Sequence, residues 1–409
     1  MSTQGGEPVR ASGLRLGVHG THLRLSAGRP PPIREGIPGG PAVPVELSDD
    51  NGAYQVADDV DLLDLMLDDL AAAPPVFQPP PCRAHELPLV AAELRAGLHD
   101  FRRRDDTRLA DLGACDAAPR MLNGIRANPD AQVVLDALSD TLNGRIAQGK
   151  RALVEGLSIL DLYDTALRIC GVQSYRSPTV ASVCNLEVSR VGNPYGFEHG
   201  RRFLTRSALF FYMRYAYVAE QVNFKVVDTV VELGAGAGKQ AEVLKRLHPH
   251  LTIVLLDTAP SLYVAERFLT TAYPDDTVPY RETREPGCAL VPGHIHFLGN
   301  FRVDDIAPIG NTLFWSAATL EDLEPAAIAH YGRAITPLAE SLYLHGCFGE
   351  VRRGVQSVVN GGAPAPLAAY VDAFPEHELA DRRVAHTGLA DLVDRNGTYD
   401  DTFWPRRWT

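Results

Sequence analysis

A glycine-rich segment between a predicted strand and a predicted helix is the part of this sequence best suited to chemistry. Residues 226–233 are largely apolar and predict a buried parallel strand, and helical residues begin near Lys239. An acid, Glu232, lies inside the end of that strand. Small residues permit a tight turn and let a ligand lie against bare backbone. We therefore expect a ligand-binding loop made of Gly234, Ala235, Gly236, Ala237 and Gly238.

An acidic residue at the end of the next predicted strand supports the same interpretation. Residues 251–256 are apolar and are followed by Asp257 and Thr258. An acid at this place can accept hydrogen bonds from both hydroxyls of a ribose. NAD enzymes share this feature, but their loop has the spacing Gly-x-Gly-x-x-Gly, whereas the loop from Gly234 reads Gly-x-Gly-x-Gly.

Together with these features, residues 190–350 resemble the putative sugar O-methyltransferases of bacterial natural-product gene clusters, a family of class I S-adenosylmethionine-dependent methyltransferases. The resemblance is carried by Glu-x-Gly-x-Gly-x-Gly from Glu232, by Asp257, and by the segments Val191-Gly192-Asn193-Pro194, 203–217 and Thr319-Leu320-Glu321-Asp322-Leu323. It implies a Rossmann-like domain, S-adenosylmethionine as cofactor and S-adenosylhomocysteine as product. It also implies that Asn300 and Phe301, after the third strand, bind adenine, although many relatives have Asp where Asn300 stands. The implied cofactor site consists of Glu232, Gly234, Ala235, Gly236, Gly238, Asp257, Thr258, Asn300, Phe301 and Ser316.

Three residues beyond the fourth and fifth predicted strands are candidates for catalysis. Glu321 and Asp322 follow the fourth strand, where a carboxylate can remove a proton from a hydroxyl or hold a cationic nitrogen. The alternative is a structural acid at a helix N-terminus, since a helix is predicted from Glu324-Pro325. His345 closes the fifth strand and can act as a general base.

The aromatic helix predicted over 203–217 is apolar on nearly all sides, which is typical of a helix buried between two layers. Arg214 in its middle then needs a partner, because an unpaired buried charge is costly. We expect Tyr212 and Arg214 either to reach the carboxylate of the cofactor or to form a buried structural pair.

The predicted reaction is a direct in-line methyl transfer to a small acceptor molecule. A sugar-like hydroxyl would need a base such as His345 or Glu321, whereas a guanidino or amino group of a free amino acid such as arginine would need carboxylates that orient a cation. Two alternatives of other classes are an NAD-dependent oxidoreductase and an inactive cofactor-binding partner protein. Neither metal ligands at characteristic spacing nor a paired acid cluster points to a metal site.

The chain is expected to fold as an α/β protein in three parts. Residues 1–46 predict a loosely ordered arm with a possible hairpin, 47–185 a mainly helical domain that caps the site or forms a dimer, and 186–409 the Rossmann-like domain. Apolar stripes predict helices in the second part, at Val60 to Leu70, at Leu87 to Leu94, at Val133 to Ile146 and at Leu153 to Leu167.

Composition favours a soluble cytoplasmic protein. Asp and Glu outnumber Lys and Arg by 51 to 39, which argues against nucleic acid as a partner, and Arg102-Arg103-Arg104 is interpreted as a solvated helix face. Six scattered cysteines suit a reducing compartment. A secretory leader and a membrane span are not expected, because no apolar stretch is long enough.

Overall fold

The structure is a computed structural model that describes residues 15–19, 22–26, 54–79, 84–104, 108–114, 116, 167, 170–171, 173–307, 310–348, 365–385 and 399–407. Two hairpins precede the main sheet. Strands β1 (Arg15–His19) and β2 (His22–Ser26) pair antiparallel, as do β3 (Gly196–His199) and β4 (Arg202–Thr205). The predicted stripes at Val133 to Ile146 and, except for Leu167, at Leu153 to Leu167 lie outside the described residues.

The main sheet has eight strands, and their arrangement confirms the predicted Rossmann-like α/β fold. Its strands are β5 (Thr229–Leu233), β6 (Thr252–Asp257), β7 (Thr277–Val278), β8 (Ile295–Gly299), β9 (Thr312–Ala317), β10 (Ser341–Gly346), β11 (Asp381–Val384) and β12 (Asp400–Pro405). The spatial order is β11-β12-β10-β9-β5-β6-β8-β7. Every pairing is parallel except those of β12, which runs antiparallel to both β10 and β11. The chain order reverses beside β5, and open α/β sheets bind ligands at such a switch point.

Helices cover both faces of the sheet, as burial of parallel strands on both sides requires. They are α1 (Val60–Ala72), α2 (Leu87–Arg95), α3 (Arg108–Asp111), α4 (Arg206–Gln221), α5 (Lys239–Leu247), α6 (Ala259–Ala272), α7 (Tyr280–Thr283), α8 (Pro325–Ile335) and α9 (Leu367–Ala373). One face packs against α4, α5 and α6, and the other against α8 and α9. The aromatic helix α4 is buried on most sides, as predicted, and begins at Thr205, whose hydroxyl accepts a hydrogen bond from the amide of Ala208.

The described N-terminal helices share one core with the sheet. Leu63 and Met66 of α1 and Leu94 of α2 are buried in the same apolar cluster as Tyr263 and Phe268 of α6. This segment is also tied to the sheet domain by ion pairs, such as Arg284 with Asp69. Removal of the N-terminal elements would therefore expose part of the central core.

A buried charged cluster joins four separate segments of the chain. The carboxylate of Asp116 contacts Nε of Arg102 at 2.7 Å and Nζ of Lys239 at 3.2 Å, and it accepts a hydrogen bond from the hydroxyl of Ser207. Burial opposes ionisation, but Lys239 and Arg102 hold the pKa of Asp116 below its ordinary value. Arg102 also donates to the carbonyl of Ser189. The interpretation of Arg102 as part of a solvated helix face is therefore wrong: its side chain is 1% exposed and its partners are distant in sequence.

Among the described helices, none has both the length and the apolar character needed to cross a bilayer. Within the same residues, no group of three or more His, Cys, Asp or Glu side chains is arranged to hold a metal ion.

The buried cluster leads to a stability prediction. Asp116→Asn leaves Arg102 and Lys239 without their shared anion in a buried site, so we expect the free energy of unfolding to fall by about 3–5 kcal/mol. Urea denaturation measures this change. The control is Asp64→Asn, which breaks the exposed pair between Asp64 and Arg95 and should cost about 0–1 kcal/mol. Equal effects of the two substitutions would contradict the role given to Asp116.

Candidate functional site

The glycine loop lies at the carboxyl end of β5 and turns directly into α5. Gly234, Gly236 and Gly238 all have positive φ, at 83°, 53° and 77°. At Gly234 the constraint is also steric, because a Cβ there would lie 1.7 Å from Oγ1 of Thr319. Ala235 and Ala237 are buried beneath the turn, which the hydrogen bond from the amide of Gly238 to the carbonyl of Ala235 closes. The loop therefore exposes backbone, not side chains, at the switch point of the sheet.

Asp257 ends β6 beside this loop and is half-buried. Its Oδ2 accepts a hydrogen bond of 2.8 Å from the amide of Gly236, and its Oδ1 accepts one of 2.7 Å from the amide of Thr258. Each carboxylate oxygen can accept more than one hydrogen bond, so Asp257 retains acceptor capacity for ligand hydroxyls. The carboxylate thus shapes the loop as well as facing the place where a ribose is expected.

Glu232 is a buried carboxyl group beside the glycine loop whose pKa is raised. It is 3% exposed, and among the described residues its Oε2 has no hydrogen-bond partner. Burial, and then the charge of Asp257, raise the pKa of Glu232 to about 8, while Arg214 acts in the opposite direction. A buried acceptor in this state is suited to a ligand that brings a cation or a hydrogen-bond donor.

Asn300 follows β8, and the two polar atoms of its side-chain amide differ in their contacts. Its Nδ2 donates to the carbonyl of Phe77 at 3.0 Å, while its Oδ1 is buried and has no partner in the described part of the chain. The next residue, Phe301, is half-buried with its ring against Gly299, where an added Cβ would lie 2.3 Å from the ring. An acceptor atom and an aromatic ring are thus placed together at the end of β8.

Ser316 lies near the end of β9, directly beside Leu233 of β5. Its Oγ is buried and has no hydrogen-bond partner among the described residues. Glu232, Asn300 and Ser316 thus each have a buried polar atom without a partner among the described residues, at or near the carboxyl ends of β5, β8 and β9. The alternation of side chains along the strands places Ser316 on the face of the sheet opposite to Glu232. Glu232 and Asn300 are therefore the two that favour a ligand site beside the glycine loop.

A second group of polar side chains lies at the end of β10. Nδ1 of His345 is 2.8 Å from Oδ1 of Asp401 on β12, and Nε2 of His345 is 3.4 Å from Nη2 of Arg214 on α4. Burial, and then Arg214, lower the pKa of His345, while Asp401 opposes them. Although burial opposes it, the contact with His345 holds the pKa of Asp401 below its ordinary value. His345 is thus held neutral, with Nδ1 donating to the carboxylate of Asp401 and Nε2 accepting a hydrogen bond from Arg214.

Asp401 was missed in the sequence, because its strand β12 follows a stretch without a clear alternating pattern. The available signal was the pair Asp400-Asp401 directly before the apolar and aromatic residues 402–404. Tyr343 also donates its hydroxyl proton to Asp401, at 2.6 Å. The ring of Tyr399 stacks on His345 at a centroid distance of 5.2 Å.

Glu321 lies in a short 3-10 turn, Leu320–Asp322, and is buried with its Oε2 bonded to the amide of Cys347. This contact ties the residues after β9 to those after β10, so Glu321 has a structural contact, but at a turn and not at the N-terminus of α8, which begins at Pro325. The side chain of Asp322 lies outside the described residues. Both residues remain predictions as acceptor-site groups.

Tyr212 and Arg214 face different directions, because residues two apart on a helix are separated by about 200°. The hydroxyl of Tyr212 donates to the carbonyl of Ala181 at 2.6 Å and contacts the hydroxyl of Ser174. Tyr212 therefore anchors the 174–181 segment, and its contacts do not favour the predicted role toward the cofactor. Arg214 is half-buried and contacts Nε2 of His345 at 3.4 Å and the face of the Phe211 ring at 5.4 Å, while its charge acts on Glu232. Its expected pairing with an anion stays a prediction.

The residues around the glycine loop fit S-adenosylmethionine. That molecule has an amino group, a ribose with two hydroxyls and an adenine amine, all of which donate hydrogen bonds. The acceptors needed are present as Oε2 of Glu232, the carboxylate of Asp257 and Oδ1 of Asn300. The cradle of left-handed glycines is the backbone feature that such a ligand requires.

Comparison with known proteins gives matches only among solved structures. No protein-family profile and no curated protein matches the chain. The pyocyanin biosynthetic protein PhzM is 12% identical, with a TM-score of 0.33 over 49% of this chain and 58% of that chain. Human N-acetylserotonin methyltransferase in complex with SAM is 16% identical, with a TM-score of 0.28 over 49% of this chain and 56% of that one. The O-methyltransferase NcsB1 from neocarzinostatin biosynthesis, in complex with S-adenosyl-L-homocysteine and 1,4-dihydroxy-2-naphthoic acid, is 14% identical, with a TM-score of 0.34 over 49% and 56%. This chain thus spans less than two thirds of the length of each of these three proteins.

The packing of Thr319 against Gly234 leads to a second prediction. Gly234→Ala combines an unfavourable φ with a steric clash, so we expect it to lower the free energy of unfolding by about 3 kcal/mol. Gly200→Ala is the matched control, because Gly200 has a φ of 68° but no atom within 4 Å of the place that a Cβ would occupy, and only the backbone cost of about 1 kcal/mol should appear.

Adding Thr319→Gly to Gly234→Ala should restore the steric part of the loss and leave the backbone part. Urea denaturation of the single and double variants measures this coupling. Additive effects of the two substitutions would show that Thr319 does not pack on the loop.

Proposed function

We propose that this chain is an S-adenosylmethionine-dependent methyltransferase that acts on a hydroxyl group of a small polar molecule, with a sugar-like hydroxyl as the acceptor in natural-product biosynthesis. The observation that carries the proposal is a pair of buried acceptors without a partner among the described residues, Glu232 Oε2 and Asn300 Oδ1, beside the loop that Asp257 shapes. With the carboxylate of Asp257, they are acceptors of the kind that the amino group, the adenine amine and the ribose hydroxyls of the cofactor require. When bound, S-adenosylmethionine supplies an electrophilic methyl group.

The chain's own contribution is to position the reactants, exclude water and remove one proton. A sugar hydroxyl is a weak acid and needs a base during transfer. Nε2 of His345 is that base: it takes the hydroxyl proton, while Asp401 holds Nδ1 and stabilises the imidazolium that forms. Before the acceptor binds, Arg214 donates to the same nitrogen at 3.4 Å and disfavours its protonation. For the proton to transfer, this hydrogen bond breaks, and the guanidinium donates instead to the acceptor oxygen, where negative charge develops.

The same cation argues against a guanidino or amino acceptor. A cationic acceptor beside Arg214 would meet like charge in a buried site, which costs free energy. The carboxylate proposed for orienting such a cation, Glu321, is already bonded to the amide of Cys347. A hydroxyl acceptor is therefore the better match to the charges at the end of β10.

The first test is a calorimetric titration of the full chain with S-adenosylhomocysteine and, separately, with NADH. We expect micromolar binding of S-adenosylhomocysteine alone, and loss of that binding in Gly236→Asp, which places a carboxylate in the loop and a Cβ 3.3 Å from the carbonyl of Leu112. Circular dichroism of the variant checks that it folds. Binding of NADH alone, or of neither ligand, would contradict the proposed cofactor and, in the first case, favour an oxidoreductase.

Transfer of a radioactive methyl group to monosaccharides, and in parallel to guanidino amino acids, then tests the acceptor class. We expect His345→Ala to lower turnover of a hydroxyl acceptor by about 10²- to 10⁴-fold. Activity on a guanidino acceptor that survives His345→Ala but not Glu321→Gln would overturn the hydroxyl proposal. Cofactor binding without transfer to any acceptor would favour an inactive partner protein.

The charges around His345 also predict opposite pKa changes in two variants. Arg214→Met removes a cation that lowers the pKa of His345, so the pKa should rise. Asp401→Asn removes an anion that raises it, so the pKa should fall. Because the neutral imidazole is the base, the pH below which His345 stops acting as a base moves up in the first variant and down in the second.

NMR titration of the histidine imidazoles measures both changes without an acceptor, with His345→Gln to assign the signal. Arg333→Met removes an equal charge from an exposed site on α8, against the opposite face of the sheet, and should leave the pKa of His345 unchanged. Shifts of the same sign in Arg214→Met and Asp401→Asn would refute the charge arrangement described for this site.

A further inference from the structure

A short N-terminal turn, Pro75–Phe77, reaches the end of β8 and contacts Asn300. The carbonyl of Phe77 accepts a hydrogen bond of 3.0 Å from Nδ2 of Asn300, a residue that is only 8% exposed. The other amide atom, Oδ1, has no partner among the described residues. Phe77, more than two hundred residues away in sequence, thus accepts a hydrogen bond from the amide nitrogen of Asn300 and does not contact its amide oxygen.

The turn is held firmly in place. The ring of Phe77 is 4% exposed and packs edge-on against His330 and Tyr331 of α8, at centroid distances of 4.9 and 5.8 Å. The amide of Phe77 donates to the carbonyl of Pro74 at 3.0 Å. Directly after the turn, Gln78 donates its side-chain amide to the carbonyls of Leu70 and Ala73 and so anchors it to α1. The position of the Phe77 carbonyl is therefore determined by packing on both sides.

A carbonyl oxygen only accepts hydrogen bonds, so it fixes which way an asparagine amide points. With one N–H of Nδ2 bound to Phe77, the amide is oriented so that its oxygen, Oδ1, is the atom without a partner among the described residues. Rotation of the amide by 180° would set two oxygens against each other and offer a donor instead. An aspartate at this position would likewise place a carboxylate oxygen against the Phe77 carbonyl, which gives a physical reason for asparagine here.

From this geometry we infer that Phe77 is a positioning residue that makes the site specific for a 6-amino purine over a 6-oxo purine. The exocyclic amine of adenine donates a hydrogen bond to Oδ1 of Asn300, whereas the 6-oxo group of hypoxanthine would leave Oδ1 facing another acceptor. The inference rests on the proposed function, because the adenine belongs to the proposed cofactor. It goes beyond that proposal, because it assigns purine selectivity to an N-terminal turn outside the glycine loop.

The test compares binding of S-adenosylhomocysteine with binding of its deaminated analogue, S-inosylhomocysteine, by calorimetry on the full chain. We expect the wild type to prefer the adenine ligand by about ten- to hundredfold, the cost of leaving a buried acceptor unsatisfied. Phe77→Ala removes the packing that holds the carbonyl, so the preference should fall to within a few-fold of unity. Phe77→Leu keeps an apolar side chain in the same place and should restore most of the preference.

Two further variants keep the test decisive if Phe77→Ala does not fold. Asn300→Leu removes the acceptor and should bind both ligands with equal, weakened affinity. Val76→Ala is the control within the same turn, because its side chain takes no part in the contact with Asn300 and should leave the preference unchanged.

Three outcomes are distinguishable. If the wild type binds neither ligand, the proposed function fails and the inference with it. If the wild type binds both ligands equally, or if Phe77→Ala or Asn300→Leu keeps the full preference, the cofactor assignment stands and the role of Phe77 is overturned. A preference that is lost in Phe77→Ala and Asn300→Leu but kept in Phe77→Leu and Val76→Ala supports the inference.

Discussion

A buried carboxylate that must be neutralised determines how the parts of this molecule fit together. Asp116 is buried, so its charge is tolerable only while Arg102, Lys239 and Ser207 contact it. Lys239 is the first residue of α5, directly after the glycine loop, and Ser207 is in the first turn of α4. The position of the loop therefore depends on an N-terminal segment that comes from outside the sheet. The carbonyl of Leu112, in that same segment, lies 3.3 Å from where a Cβ on Gly236 would be.

Much of the sheet and its ligand edge could be predicted, because their signals are local. An apolar strand followed by glycines, or by a single acid, is readable in a short window, and this gave the position of Glu232, Gly234, Asp257 and Asn300 near one edge of the sheet. Left-handed φ at Gly234 and Gly236 follows from the same residues.

The contacts that could not be predicted from the sequence are those between residues that are distant in the chain. Arg102 is followed closely by two acids, which suggested a solvated charge run, yet its side chain pairs with Asp116 and lies near the first residue of α5. Asp401 belongs to the antiparallel strand β12, whose place between β10 and β11 is a matter of topology, and only that placement brings it to His345. The different directions of Tyr212 and Arg214, in contrast, follow from helix geometry alone and were available from their spacing.

The charge of Arg214 acts on both groups of polar side chains, the one around the glycine loop and the one at the end of β10. Its charge acts to lower the pKa of Glu232 on β5, against the effect of burial, and the pKa of His345 on β10. One cation thus acts on the acid beside the glycine loop and on the histidine proposed as the base. The two effects differ in consequence, because a lower pKa makes Glu232 more anionic and keeps His345 neutral. An ammonium group bound at Glu232 would favour ionisation of that carboxyl. Because the ammonium and the carboxylate carry opposite charges, they largely cancel at a distance, and the field of Arg214 at His345 persists. Within the proposed function, His345 therefore stays neutral when the donor site is filled, which is the state in which it can accept a proton.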